Sequence, residues 1–340
     1  MKSKNNQPII GVTVGDPAGI GPEIVVNALI KHQLNNRHRL VVFGDRAVID
    51  QAFLHTGVSE DILEVHGPED FCFQSNNLHL VNGSIIEQSV RMGEINADCG
   101  RSVLHHVSLA IDWAIKGWLD AIATAPLQKE SLQLGDSPYL DHTAMFKTLT
   151  QSDDATTLFM VDQLRVFFLT RHIPLRDVAD TITDQMLLTA IPRCLQYLQQ
   201  LGLTNPVLAV AALNPHGGED GLFGTEERNI IIPAIEKAKM RGHNVNGPIP
   251  GDSVFHLALE GNYDGVLSLY HDQGHIAAKT LNFYKTVSLT MGLPFLRTSV
   301  DHGTAFNIAG QNKANETSMV EAIRCAIHYG PSIKKSQEFE

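Results

Sequence analysis

The sequence predicts an α/β fold built on a largely parallel sheet. Strand-length apolar runs alternate with helical patterns almost throughout, which is the signature of βαβ units. The first run is followed by a glycine-rich turn and then a helix. Three later runs end alike, each giving way to a histidine: Leu164 to His172 (LRVFFLTRH), Val207 to His216 (VLAVAALNPH) and Val266 to His275 (VLSLYHDQGH). If these are buried strands of one sheet, His172, His216 and His271 emerge along the edge where open α/β folds place ligands.

In chain order, Pro8 to Val14 is a β-branched run, Gly15 to Glu23 reads GDPAGIGPE, and EIVVNALIKH has helical periodicity. The glycines suit a tight turn. The helix amides either face an anion or simply cap a close strand–helix packing, and the spacing is not GxGxxG. Leu40 to Gly44 is a second strand and Arg46 to His55 a helix. Residues 58–95 show little periodicity beyond Leu78 to Val81 and read as irregular surface. Gly100 to Lys116 is helical through Val103, Val107, Ala110, Ile111 and Ala114. His105 and His106 on it are expected to be partly exposed, because adjacent helical positions point to different faces.

Asp120 to Pro126 is a strand, and Lys129 beyond it either reaches a site at the strand end or is solvated. Ser137 to Thr143 is a turn that delivers His142 and Thr143 to a helix start, where Thr143 serves as a cap or the pair holds substrate oxygens. Thr156 to Val178 reads as strand, turn at Asp162, strand and loop. Ile182 to Leu201 is a helix containing Pro192, a candidate kink. NPHGGEDGLFGTEE is a shaped glycine-rich loop, followed by a helix from Glu226 to Arg241, a loop at Pro248 to Asp252 and a short helix at Val254 to Leu259. No repeat, low-complexity segment or linker is present.

The 340 residues suffice for two domains with a substantial core, and 43% hydrophobic with 19% charged residues is ordinary for a globular protein. A formal net charge of −11, without a dense Lys/Arg run, argues against nucleic acid. It leaves room for a small anion bound by a few local cations. The N-terminal MKSKNNQPIIG has no signal-type apolar run and no segment reaches membrane-spanning length, so a cytoplasmic protein with no membrane partner is expected. Cys72, Cys99, Cys194 and Cys325 are too scattered for a disulfide or metal motif and read as small buried apolar residues.

A lone histidine after a strand is usually a hydrogen-bonded loop residue. Three in matched contexts suit a divalent transition metal with open positions for substrate. Glu219, Asp252 and Asp272 lie near enough in sequence to orient the imidazoles, or else to solvate loops and cap helices. Lys279, eight residues after His271, and Arg297, in RTSVDHGTAFNIAG, are cations placed to bind phosphate or carboxylate; in isolation each would be an ordinary surface charge.

Together GDPAGIGPE, TAP, DHT, TRHIPLRD, LNPHGGE, YHDQG and LPFLRTSVDHGTAFNIAG resemble the 4-hydroxythreonine-4-phosphate dehydrogenase family of pyridoxal phosphate biosynthesis, in order over nearly the whole chain. More distantly, GDPAGIGPE and HGTAFNIAGQNKANE resemble the turn and cofactor-adenine loop of isocitrate and isopropylmalate dehydrogenases. The resemblance implies two α/β/α subdomains of that type, residues 1–135 with 285–340 on the cofactor side and 136–284 on the metal and substrate side. It also implies a homodimer with an active-site cleft at the subunit interface. A divalent metal (Zn, Co or Mg) would be held by His172, His216 and His271, shared between subunits. A small phosphorylated substrate would meet His142, Thr143, Lys279 and Arg297, with Lys279 or a metal-bound water as the proton carrier. NAD or NADP would lie at His302, Gly303 and Asn315.

The implied reaction is oxidation of the C3 hydroxyl of a phosphorylated four-carbon hydroxy acid, followed by decarboxylation. Where the family usually reads GVN, this chain has Thr286, Val287 and Ser288, and YHDQGHIAAK is closer to a sister branch acting on 4-phospho-D-threonate or 4-phospho-D-erythronate. A metal lyase or hydrolase without nicotinamide, or a non-catalytic sensor, would use the same histidines.

Overall fold

The computed structural model describes residues 7–74 and 76–337. The first six residues, on which the expectation about the N-terminal MKSKNNQPIIG stretch partly falls, lie outside them. In chain order the strands are β1 (Ile9–Thr13), β2 (Arg39–Phe43), β3 (Ile62–Glu64), β4 (Leu78–Val81), β5 (Ala121–Thr124), β6 (Thr156–Val161), β7 (Leu164–Phe168), β8 (Leu208–Ala211), β9 (Val245–Ile249), β10 (Gly265–Ser268), β11 (Val287–Met291) and β12 (Leu296–Val300). The chain forms two compact units, Met1–Thr156 with Val287–Glu340, and Thr157–Thr286. The first boundary therefore falls later than residue 135. Residues 136–156, with His142 and Thr143, pack with the first unit because the buried Met145 and Phe146 join its core beside Phe295, Trp113 and Ile122.

In the first unit the strand order is β3-β4-β2-β1-β5-β12-β11. Every pairing is parallel except the β11–β12 hairpin. In the second it is β6-β7-β10-β8-β9, parallel except for the β6–β7 hairpin. The expected α/β class and largely parallel pairing are thus observed. β4, β5, β8 and β10 are buried at every position, as expected of mostly apolar strands covered on both faces, and His79, Thr124 and Ser268 are buried with them.

The GDPAGIGPE turn forms as predicted. Gly15 has φ +71°, and a Cβ there would sit 2.2 Å from the Pro126 carbonyl oxygen, so only glycine lets β1 hand over to the helix Gly21–Ile30 beside the end of β5. Residues 58–95 carry β3, β4 and a short 3-10 turn at Pro68–Asp70, all too short for periodicity to register. The helix expected from Glu226 begins as a π turn, Glu227–Ile231, before the α-helix Ile232–Met240.

Three expectations need correction. His106 is buried rather than partly exposed; its Nδ1 is 2.8 Å from the Ser102 carbonyl oxygen, and its Nε2 lies 3.8 Å from the buried Asp45 carboxylate. That pocket exists because Gly83 has no side chain to fill it. Cys72 is exposed and Cys325 half-buried, so only Cys99 and Cys194 are buried as expected. Thr143 does not cap its helix: Asp141 does, through Oδ1 to the Ala144 amide at 3.0 Å.

Candidate active site

In the second unit the three histidine-bearing runs are neighbours. β10 lies between β7 and β8, parallel to both, with Ser268 opposite Phe168 and Val266 opposite Ala209. Their carboxyl ends share one edge, so the loops bearing His172 and His216 and the helix His271–Leu281 all leave from that edge. Gln273 fixes the helix start: its Oε1 accepts from the Leu269 amide and its Nε2 donates to the Ala212 carbonyl, both at 2.7 Å, joining the ends of β10 and β8.

His172 and His271 come together, with ring centroids 6.0 Å apart. Both line a cavity of about 260 Å³ with Arg171, Tyr270 and Asp272 among its walls. Asp272 Oδ1 lies 2.6 Å from His271 Nδ1, a contact that fixes the ring and leaves Nε2 as its other ligating atom. Of the carboxylates singled out in the sequence, Asp272 is therefore set to orient an imidazole. Glu219 and Asp252 are exposed.

His216 is held separately. The buried Glu227 accepts from the Leu213 amide (2.8 Å), the Asn214 amide (2.7 Å) and Asn214 Nδ2 (2.8 Å), pinning the chain as it leaves β8. His216, Gly217, Gly218, Glu219 and Asp220 then all adopt left-handed backbone, with φ of 53, 71, 82, 41 and 55°. Side-chain-bearing residues rarely hold that conformation, and a run of it is kept only where the surroundings enforce it. The His216 ring lies 6.4 Å from that of Phe223. Among the described residues of one chain, no three His, Cys, Asp or Glu side chains form a group able to hold a metal. The chain thus offers a two-imidazole half-site at His172 and His271, chemically suited to a divalent metal, and presents His216 apart from it.

On the helix, His271, His275 and Lys279 follow at intervals of four and so lie along one face. His275 stacks on His271 at 3.9 Å and sits against Phe159 and Phe168. Burial first, then the neighbouring His271 and Lys279, push its pKa down to about 4, so it is neutral at neutral pH. Lys279 Nζ lies 5.2 Å from the centre of the Phe283 ring.

The first unit holds the other anion-binding candidates. Arg297 is buried on β12; its Nε and Nη2 donate to Thr124 Oγ1 at 3.2 and 3.0 Å, and its Nη1 to Thr290 Oγ1 at 3.1 Å. Its guanidinium carbon stands 5.3 Å from the Phe146 ring centre. Burial pulls its pKa down to about 10, with Asp141 acting the other way, so it stays charged. His142, one turn before Phe146 on the same helix, is also buried, and its Nε2 makes no hydrogen bond. Burial, then the Arg297 charge, hold this imidazole well below its usual range, hence neutral. Thr143 is half-buried beside it. Lys129 is exposed, its solvated reading.

The loop after β12 carries the cofactor candidates. His302 is bonded at both ring nitrogens, to the Gly303 carbonyl oxygen (3.0 Å) and Ser318 Oγ (2.8 Å). Gly303 and Asn315 are exposed, and Asn315 Oδ1 accepts from the Thr317 amide at 2.9 Å at the start of the last helix. Glu23 of GDPAGIGPE accepts from the Gly310 and Asn312 amides, so the two motifs of the more distant resemblance are bonded to each other.

Residues 36–326 match the family described as pyridoxal phosphate biosynthetic protein PdxA. The chain belongs to the PdxA family. It is 46% identical over 332 residues to a protein of Clostridium botulinum named "Putative D-threonate 4-phosphate dehydrogenase", covering 97% of this chain and 99% of that one. A Halalkalibacterium halodurans protein of the same name is 46% identical over 330 residues, covering 96% and 98%. The crystal structure of 4-hydroxythreonine-4-phosphate dehydrogenase from Klebsiella pneumoniae superposes with a TM-score of 0.89 at 38% identity, covering 96% of this chain and 98% of that one. PdxA dehydrogenases have the isocitrate dehydrogenase-like fold, which this chain shares. The chain is accordingly an oxidoreductase of a family that depends on NAD(P) and, in general, on a divalent metal. Among the described residues, no helix is long and apolar enough to cross a membrane.

Thr124, Thr290 and His275 gained no role from the PdxA-type motifs, although each touches a residue that did. Thr124 stands in the TAP motif, but nothing local says that its hydroxyl meets an arginine far along the chain. The signal was a pairing one: Thr290 lies directly opposite Arg297, and Thr124 opposite Ser299, so the three side chains share a face.

Proposed function

We propose that this chain is a D-threonate 4-phosphate 3-dehydrogenase: a metal-dependent, NAD(P)-linked enzyme that oxidises the C3 hydroxyl of a phosphorylated four-carbon hydroxy acid, which then loses CO2. The observation that carries the reading is Arg297, a buried guanidinium whose hydrogen bonds go to neutral threonine hydroxyls beside a neutral, unpartnered His142. A buried charge with no carboxylate in hydrogen-bond contact, Asp141 acting on it only at longer range, favours an incoming anion. The names of the relatives at 46% identity, and Ser288 where the family usually has asparagine, support the hydroxy acid over its amino counterpart.

Bound metal and nicotinamide supply a Lewis acid at the C3 hydroxyl and a hydride acceptor. Arg297, His142 and Thr143 bind the phosphate or carboxylate. His172 and His271 are two of the metal ligands and His216 the third, given by a second copy of the chain in a homodimer. Asp272 holds His271 in the tautomer that ligates through Nε2. Lys279 takes the hydroxyl proton as hydride leaves, and the β-keto acid so formed loses CO2 readily. His302, Gly303 and Asn315 border the nicotinamide cofactor's adenine, and the enzyme is cytoplasmic.

Absorbance at 340 nm separates the readings when metal-loaded protein and NAD+ or NADP+ meet D-threonate 4-phosphate, D-erythronate 4-phosphate and 4-hydroxythreonine 4-phosphate in turn. The highest kcat/KM is expected with D-threonate 4-phosphate. Preference for 4-hydroxythreonine 4-phosphate, the substrate in the name of the Klebsiella relative, would move the assignment to pyridoxal phosphate biosynthesis. Consumption of substrate without reduced nicotinamide would point to a lyase.

A further inference from the structure

We infer that Thr124 and Thr290 are positioning residues that aim Arg297 at a two-oxygen anion; this rests on the proposed anion-binding role of Arg297. A guanidinium has five N–H donors. Three hydrogen bonds to threonine are formed, from Nε and Nη2 to Thr124 and from Nη1 to Thr290. Nε is thereby used up, and one N–H remains on each terminal nitrogen. Those two, on different nitrogens, are left to donate to two oxygens of one carboxylate or phosphate.

The sheet dictates this arrangement. Thr290 of β11 is directly opposite Arg297 of β12, and Thr124 of β5 is opposite Ser299, two residues further along β12. Side chains at paired positions, and at positions two apart, lie on one face. The two hydroxyls therefore flank the guanidinium from the strands on either side, while the Phe146 ring lies 5.3 Å from its carbon. Thr124 Oγ1 is itself 3.3 Å from the Thr298 carbonyl oxygen, which takes its proton and turns its lone pairs to Arg297.

Hydroxyls are the informative choice. A carboxylate at either position would orient the fork equally well but would neutralise it before substrate arrived. Threonine fixes the direction and keeps the charge. Its methyl group also restricts the rotamer, so the hydroxyl is held ready.

The test is Thr290→Val, which keeps shape and removes one acceptor, with Thr290→Ser as the restoring variant and Arg297→Met as the control on the anion reading. Steady-state kinetics with the best phosphorylated substrate and the thermal shift produced by inorganic phosphate are both read. For Thr290→Val, KM is expected to rise about 10-fold with kcat changing much less, and the phosphate-induced shift to shrink. Thr290→Ser should recover most of both, and Thr124→Val, which removes two bonds, should exceed Thr290→Val. If Arg297→Met abolishes the phosphate shift while Thr290→Val leaves KM and the shift as in the unmodified protein, the positioning role is wrong and the anion reading stands. If Arg297→Met leaves the shift intact, the anion reading itself is wrong. A Thr290→Val effect that serine does not restore assigns Thr290 to packing and overturns the inference.

Discussion

Asp16, in the turn after β1, is fully buried, with Oδ1 accepting from the Ala18 amide at 2.9 Å and Oδ2 left without a hydrogen bond. Burial outweighs the opposing Ala18 amide, Ser131 hydroxyl and Gln128 amide and raises its pKa from 3.8 to about 6. The folded form therefore binds this proton more tightly than the unfolded one. The contribution of Asp16 to stability is most favourable below the unfolded pKa, falls as pH rises through about 4 to 6, and stays lower above it. The shift corresponds to ~3 kcal/mol as an upper bound. Asp16→Asn keeps the acceptor and removes the buried charge. Its melting temperature should exceed that of the unmodified protein near pH 8, with the gain shrinking to nothing near pH 4. Parallel melts across that range check this, and a gain independent of pH would assign the effect to packing.

The helix His271–Leu281 shows how one element sets a site. Gln273 ties its first turn to β10 and β8, and Gly274 lets it lie close on the sheet. A Cβ at Gly274 would come within 2.6 Å of Phe168 Cε1 and 2.7 Å of both Ser268 Oγ and Val166 Cγ1. Gly274→Ala gains ~1 kcal/mol of helix propensity. The clash with a packed strand costs ~1–3 kcal/mol and shifts the helix bearing His271. A lower melting temperature together with weaker zinc binding by titration is the expected outcome. Stability unchanged would mean that the helix yields freely. The YHDQG motif thus mixes ligand and scaffold: His271 and Asp272 face the cavity, while Gln273 and Gly274 seat the helix. Sequence alone exposed the strand ends, because burial stops abruptly where histidines begin. It did not expose the seat, because Ala212 and Phe168 lie far away in the chain. The burial of His106 is hidden from the sequence for the same reason: it depends on Gly83 and Asp45, from other elements. Asp141 rather than Thr143 caps its helix because the boundary lies two residues earlier than a Thr143 cap would place it.

At the scale of the whole molecule, the alternation of apolar runs and helices was enough to expect a largely parallel sheet, whereas one sheet holding all three histidine-bearing runs entered only as a condition, which the pairing of β10 with β7 and β8 meets. It could not fix the first unit boundary, which depends on where Phe146 finds its partners. The separation of His216 from the His172–His271 pair bears on assembly. If His216 completes a site in a second copy, each site of a homodimer combines His172 and His271 from one protomer with His216 from the other. His172→Ala and His216→Ala are then each inactive alone. Mixed in equal amounts and allowed to exchange subunits, half of the dimers are heterodimers. In each of these, one site collects both substitutions and the other collects none. The mixture should therefore regain about a quarter of the unmodified specific activity, from one good site in half of the dimers. A ligand set contained within one protomer leaves both sites of every heterodimer defective, so no activity returns on mixing. Exchange is verified independently by mass spectrometry of differently tagged chains, and a verified heterodimer that stays inactive would place all three ligands in one protomer or remove His216 from the metal site.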